Sequence, residues 1–151
     1  MKGSSALEKI KYYCAYQERS HKEVRSKLLE LEVYGNELEN HISVLIDENY
    51  LNEERYACAI ARGKFNYKQW GRNKIIYALK QQGVSDYCIK KALTEIEEED
   101  YLKTIQTLSE KKLETLRSER NKFTKMTKLK NYLLQKGYES EYINDILKTN
   151  F

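Results

Sequence analysis

The pattern Leu79-x₃-Gly83-Val84-x₄-Ile89-x₃-Leu93 recurs 54 positions later as Leu133-x₃-Gly137-Tyr138-x₄-Ile143-x₃-Leu147. A chain that repeats itself at this spacing is built from small units, each unable to close its own core, so neighbours must share contacts. The glycines suggest what the unit is. Gly83 and Gly137 can take a left-handed conformation cheaply and end a helix, with the next residue, Val84 or Tyr138, packing back on Leu79 or Leu133. The chain has no proline, and strong helix formers dominate it, so an all-α fold is expected.

Helix starts are marked by Ser5-Ala6-Leu7-Glu8 and Ser20-His21-Lys22-Glu23, both of which fit the capping box, and more weakly by Asn36-Glu37-Leu38-Glu39. These signals predict helices over 5–19, 21–32, 37–48, 53–67, 71–82, 86–98, 99–119, 124–136 and 140–149. They group into three-helix repeats at 1–50, 51–98 and 99–151. In the first repeat Leu28 corresponds to Leu79 and Leu133, although no glycine stands at the equivalent stop. The expected architecture is a tandem array of three such units, stacked into an elongated, curved, right-handed-type array.

Charge is distributed unevenly. The net charge is only +4, but Leu28 to Glu54 contains no Lys or Arg and eight acidic residues. Glu95, Glu97, Glu98, Glu99 and Asp100 form a second acidic block. Tyr56 to Ser85 and Arg120 to Tyr138 contain no Asp or Glu. Charge runs are usually solvated faces, yet two acid-free basic runs in register with a repeat point to a surface for a long anionic partner. Arg62, Lys64, Lys68, Arg72 and Lys74 are the expected contacts. Phe65, Tyr67 and Trp70 between them suit stacking on bases or packing against a partner. Lys125, Lys128 and Lys130 are the equivalent set in the third repeat. Trp70 taken alone reads as core, because large aromatics dominate buried area.

Other residue types argue for little chemistry. Cys14, Cys58 and Cys88 are odd in number, far apart and set among apolar neighbours, so buried free thiols are expected. His21 reads as the first residue of a capped helix, and no metal spacing surrounds it or His41. Glu53-Glu54 suit a helix start after Asn52 better than acid–base work. Tyr13, Tyr16, Tyr50, Tyr56 and Tyr77 fall at helical spacing with Leu and Ile and are expected in the core or between repeats. No phosphate-binding glycine loop or nucleophile–base set is present, so no enzyme, cofactor or metal is expected. No apolar run approaches the roughly 20 residues of a membrane span, and the chain is expected to be a cytoplasmic monomer.

The segment Asn49-Tyr50-Leu51-Asn52-Glu53-Glu54-Arg55-Tyr56-Ala57 resembles the Gly-Tyr-Leu-Asp-Asp-x-Arg-Phe-Ala signature of the bacterial RecX family. Trp70-Gly71-Arg72-Asn73-Lys74-Ile75 with Leu79 and Gly83 is similar to that family's Gly-x-x-Arg-Ile-x-x-Glu-Leu-x-x-x-Gly segment. Ser20 to Leu28 is similar to its Arg-Ser-x-x-Glu-Leu-Arg-x-Lys-Leu stretch. The order and spacing of the three make the resemblance specific over nearly the whole chain. Departures include Asn49 for Gly, Tyr56 for Phe, Ala78 for Glu, and Lys74 for Arg, which lacks arginine's planar fork. The resemblance implies a non-catalytic regulator. Family members bind the helical groove of RecA recombinase filaments on single-stranded DNA, bridge successive protomers, and restrain ATP hydrolysis, strand exchange and repressor cleavage. A partner for such a groove should be long, curved and basic on one face, with salt-dependent, sequence-independent binding.

The rival reading is a helix-turn-helix protein acting directly on DNA, since Leu79…Gly83…Ile89 has that spacing. A recognition helix should be basic or neutral, whereas these would carry Asp86, or Glu141 and Asp145.

Overall fold

The computed structural model of the chain describes residues 5–151, and among them all regular structure is helical. The helices are α1 (Ala6–Tyr16), α2 (His21–Glu30), α3 (Gly35–Asp47), α4 (Glu53–Lys68), α5 (Arg72–Gln81), α6 (Asp86–Leu93), α7 (Glu98–Thr115), α8 (Lys122–Lys136) and α9 (Ser140–Asn150). Both serine capping boxes form: Ser5 accepts from the Glu8 amide and Ser20 from the Glu23 amide, and each glutamate reaches back to the cap amide. At α3 the expected cap is wrong. The helix begins at Gly35, after Tyr34, with no side-chain cap; Gly35 at φ +55° turns the chain early enough to leave Asn36 inside the helix.

The helix stops follow one geometry. Gly83 and Gly137 are left-handed, at φ +73° and +101°, and the amides of Val84 and Tyr138 donate to Leu79 and Leu133, both at 3.1 Å. The first repeat makes the same stop without glycine. Glu32 takes φ +63°, and Val33 donates to Leu28 at 2.9 Å. Leu28, Leu79 and Leu133 are fully buried, as the shared motif requires. Asn49, standing where the family pattern has glycine, also adopts φ +63°, a conformation asparagine tolerates better than most side chains.

The chain divides into two compact units, with the division falling inside α4 and α5 and at the last residue of α6. One unit holds the residues up to Ile60 together with Leu79–Ala92. Its core is Ile10, Cys14, Val24, Leu28, Val33, Leu38, Ile42, Leu45 and Leu51. Polar ties reinforce it: the Ser20 hydroxyl donates to Gln82 Oε1 at 2.7 Å, Arg55 Nε to Glu18 at 2.6 Å, and the Ser85 amide to Glu53 at 2.8 Å. Asn52 accepts from the Arg55 amide, and Glu53 and Glu54 stand in the first turn of α4, as expected of a helix start.

The other unit holds Ala61–Ala78 and Leu93–Phe151. Within it α8 packs on both α7 and α9, and Phe65, Ile75, Tyr101, Ile105, Leu129, Leu133, Tyr138 and Ile143 are buried. Some expected core residues lie elsewhere. Tyr56 is buried and Tyr13 and Tyr50 are half-buried, but Tyr16 and Tyr77 are exposed. Cys14 and Cys88 are buried free thiols, whereas Cys58 is half-buried. Burial drives the Cys14 thiol up to about 11, which keeps it protonated and inert at neutral pH.

Candidate nucleic-acid interface

The second unit turns sharply between α4 and α5. α4 ends as Gln69 takes φ +59°, and the Trp70 amide reaches back to the Lys64 carbonyl at 3.1 Å. The Tyr138 hydroxyl donates to the Gln69 carbonyl at 2.8 Å, fixing this turn from the start of α9. Next in sequence, the Gly71 amide donates to Lys136 O at 2.8 Å and the Asn73 amide to Gly137 O at 2.9 Å. Two helix ends thus meet backbone to backbone, which only glycines allow. A β-carbon on Gly71 would lie 2.4 Å from the Gly137 carbonyl, and one on Gly137 2.4 Å from Lys74 Cβ.

This junction sets Trp70 among cations. Lys64 Nζ lies 4.9 Å from its ring centroid and Lys74 Nζ 4.5 Å, both within cation–π range. Lys136 Nζ donates to the Lys68 carbonyl at 2.9 Å. Burial, then the nearby Lys74 and Lys68 charges, depress the Lys136 pKa below the usual lysine value. Trp70 is half-buried, with part of its ring solvent-facing, and Tyr67 close by is 88% exposed. Among the described residues, none of Lys64, Lys68, Lys74 and Lys136 pairs with a carboxylate. Four ammonium groups without counter-charges, beside an aromatic face, form a site suited to a phosphate-bearing strand or an acidic protein surface.

The other expected contacts are placed differently. Arg62 is exposed but pairs with Glu95 at 2.7 Å. Arg72 is turned inward, with only 17% of its side chain exposed. It donates to Glu98 at 2.9 Å and to Glu139 and Tyr142 at 3.1 Å, and stacks 3.8 Å from the Tyr101 ring. The Tyr101 hydroxyl accepts from the Arg72 amide at 2.9 Å and donates to Glu139. Burial opposes the Arg72 charge, but the bonds to Tyr142, Glu98 and Glu139 outweigh it, so its pKa rises. Arg72 therefore positions the start of α5 and is not free to grip a partner. Lys125, Lys128 and Lys130 lie on α8, where Lys125 is half-buried and Lys128 turns to Glu119 at 3.6 Å. Lys136 was not among the expected contacts; its place in an acid-free basic run beside Gly137 is the only sequence signal for it.

The model of the second three-helix domain of RecX matches residues 52–93, and that of the third matches residues 98–147. The regulatory protein RecX of Clostridium perfringens strain 13 is 35% identical over 131 residues, covering 86% of this chain and 61% of the relative. That of Bacillus mycoides is 30% identical over 137 residues, covering 90% of this chain and 50% of the relative. The chain thus spans between half and about three-fifths of these relatives' length. A crystal structure of RecX from Lactobacillus salivarius superposes with a TM-score of 0.85 at 28% identity, covering 95% of this chain and 93% of that one. A crystal structure titled regulatory protein RecX has the same fold, with a TM-score of 0.84 at 23% identity, covering 95% and 70% of the two chains.

Proposed function

The chain belongs to the RecX family, and from that premise we propose that it is a non-catalytic regulator of RecA-type recombinase filaments on single-stranded DNA. It binds along the filament groove and restrains ATP hydrolysis, strand exchange and coprotease activity. The observation that carries this reading is the unpaired lysine cluster around Trp70. A recombinase–DNA groove presents carboxylates and phosphates together, and Lys64, Lys68, Lys74 and Lys136 offer charge for both. Lys136 in particular is held among like charges, so an anion seated there relieves a repulsion already built into the free protein.

The repeats at 1–50, 51–98 and 99–151 are proposed as the units of a monomer that lies along such a groove in the cytoplasm. Supporting them is the stop that recurs at Leu28–Val33, Leu79–Val84 and Leu133–Tyr138. Direct base reading fits less well, because α6 and α9 carry Asp86 and Glu141 in their first turns. Recombinase ATPase on single-stranded DNA, with and without substoichiometric protein, tests the reading. Inhibition is expected; an unchanged rate together with unchanged filament stability would remove it.

A further inference from the structure

The first unit carries a surface that the family reading does not use. α1 and α2 form an open pocket of about 570 Å³, lined by Glu8, Lys9, Tyr12, Tyr13, Tyr16, Arg19, Lys27 and Leu31, a size typical of small-ligand sites. Its aromatic content is unusual for a solvent-facing surface. Tyr12 and Tyr16, one turn apart on α1, are 73% and 72% exposed, while Tyr13 forms a half-buried wall packed against the core.

The cations are arranged around these rings. The Arg19 guanidinium lies 3.7 Å from the Tyr13 centroid and 6.0 Å from that of Tyr16. Among the described residues only its Nε is engaged in a hydrogen bond, donating to the Tyr13 carbonyl at 3.0 Å. Lys27 Nζ lies 5.6 Å from the Tyr13 ring but pairs with Glu30 at 3.6 Å, and Lys9 lines the same wall. Glu8, the one lining carboxylate among the described residues, accepts from the Ser5 amide at 3.0 Å. Arg19 and Lys9, without a carboxylate partner among the described residues, oppose the cationic ligand that an aromatic cage alone would otherwise invite. With the tyrosines they suit a flat aromatic group attached to an anion.

We propose that this pocket binds a nucleobase carrying a phosphate, the base stacking on Tyr12 or Tyr16 and the phosphate meeting Arg19 and Lys9. Among the described residues no buried side-chain donor or acceptor is left unpaired to select between bases, so the pocket takes any base. The same chemistry is offered by a free nucleotide and by one nucleotide of a single strand.

The test is nuclear magnetic resonance on the full chain with ring-labelled tyrosine, titrated with deoxyadenosine monophosphate, a short oligodeoxyadenylate, or inorganic phosphate. The Tyr12, Tyr13 and Tyr16 ring signals are expected to shift with the nucleotide probes and not with phosphate alone. Tighter binding of the oligonucleotide identifies a strand as the source; equal binding identifies a free nucleotide. Tyr16→Ala and Lys9→Glu, both at exposed positions, each weaken binding about tenfold. The titration is repeated in Lys64→Glu/Lys74→Glu protein, so that loss at the Trp70 surface is read separately. Ring signals that do not move with either nucleotide probe, that move equally with phosphate, or that move only when Lys64 and Lys74 are intact would overturn the proposal.

Discussion

Gly71 lies against Gly137 so closely that a β-carbon on either would overlap the other's neighbourhood, at 2.4 Å from the Gly137 carbonyl in one direction and 2.4 Å from Lys74 Cβ in the other. The contact joins the start of α5 to the end of α8, residues from two different repeats, inside one compact unit. Backbone cannot yield as a flexible side chain can. Gly71→Ala is therefore expected to cost about 3 kcal/mol, and Gly137→Ala more, because its φ of +101° adds strain. Gly63, inside α4 with open space where a β-carbon would go, gives the contrasting case. Gly63→Ala should stabilise by about 0.5–1 kcal/mol. Urea unfolding of the three variants checks the set.

Glu32 occupies the left-handed position that Gly83 and Gly137 fill elsewhere. A side chain in that conformation costs roughly 1–2 kcal/mol, only partly offset by glycine's greater freedom in the unfolded chain. Glu32→Gly should raise stability by about 0.5–1 kcal/mol. A lower urea midpoint for Glu32→Gly would mean that Glu32 makes a compensating contact.

Arg72 and Arg62 are both arginines of a basic run, and the structure separates them. Arg72 spans Glu98, Glu139 and Tyr142 at 17% exposure, whereas Arg62 holds Glu95 from a half-exposed position. Lysine cannot reproduce the planar fork. Arg72→Lys is expected to lose about 2 kcal/mol of stability, and Arg62→Lys less than about 0.5 kcal/mol. Equal losses would contradict the structural role of the inward-turned Arg72.

Burial lifts Tyr56 to about 12 and raises Tyr101 and Tyr138 above the ordinary tyrosine value. For an acid whose folded pKa is raised, the unfolded chain loses its proton first, so stability is complete below the unfolded pKa of about 10 and falls as pH climbs beyond it. Unfolding and tyrosinate absorbance should therefore rise together in the alkaline range. At the acid end, hydrogen bonds from Tyr142 and then Arg72 hold Glu98 below the ordinary carboxylate value. Its contribution is present above the unfolded pKa of about 4 and is lost as pH falls through the folded one. Acid-induced unfolding should accordingly shift to higher pH in Tyr142→Phe.

Features with local causes were legible in the sequence. Ser5 and Ser20 each cap with a glutamate three residues on, and Gly83 and Gly137 each stop a helix with the residue that follows. All nine helices among the described residues start within two residues of the expected positions. Features made by distant residues were not. Arg72 reads as a free cation because its partners stand 26 to 70 positions away. Lys136 joins the Trp70 cluster only through the glycine junction. Tyr16 and Tyr77 share helical spacing with apolar residues, yet no neighbour covers them. Charge and periodicity located the basic segments, but pairing took Arg62, Arg72 and Lys128 out of the set, while the junction gathered Lys64, Lys68, Lys74 and Lys136 around Trp70.

The central claim is tested most directly by measuring binding of Lys64→Glu/Lys74→Glu protein to recombinase assembled on single-stranded DNA, across a range of salt concentrations. Affinity should fall by at least about tenfold, the salt dependence should flatten by about 0.7 in log–log slope for each DNA-phosphate contact removed, and helicity should be unchanged. Wild-type affinity and slope in the correctly folded variant would contradict the assignment of the Trp70 surface.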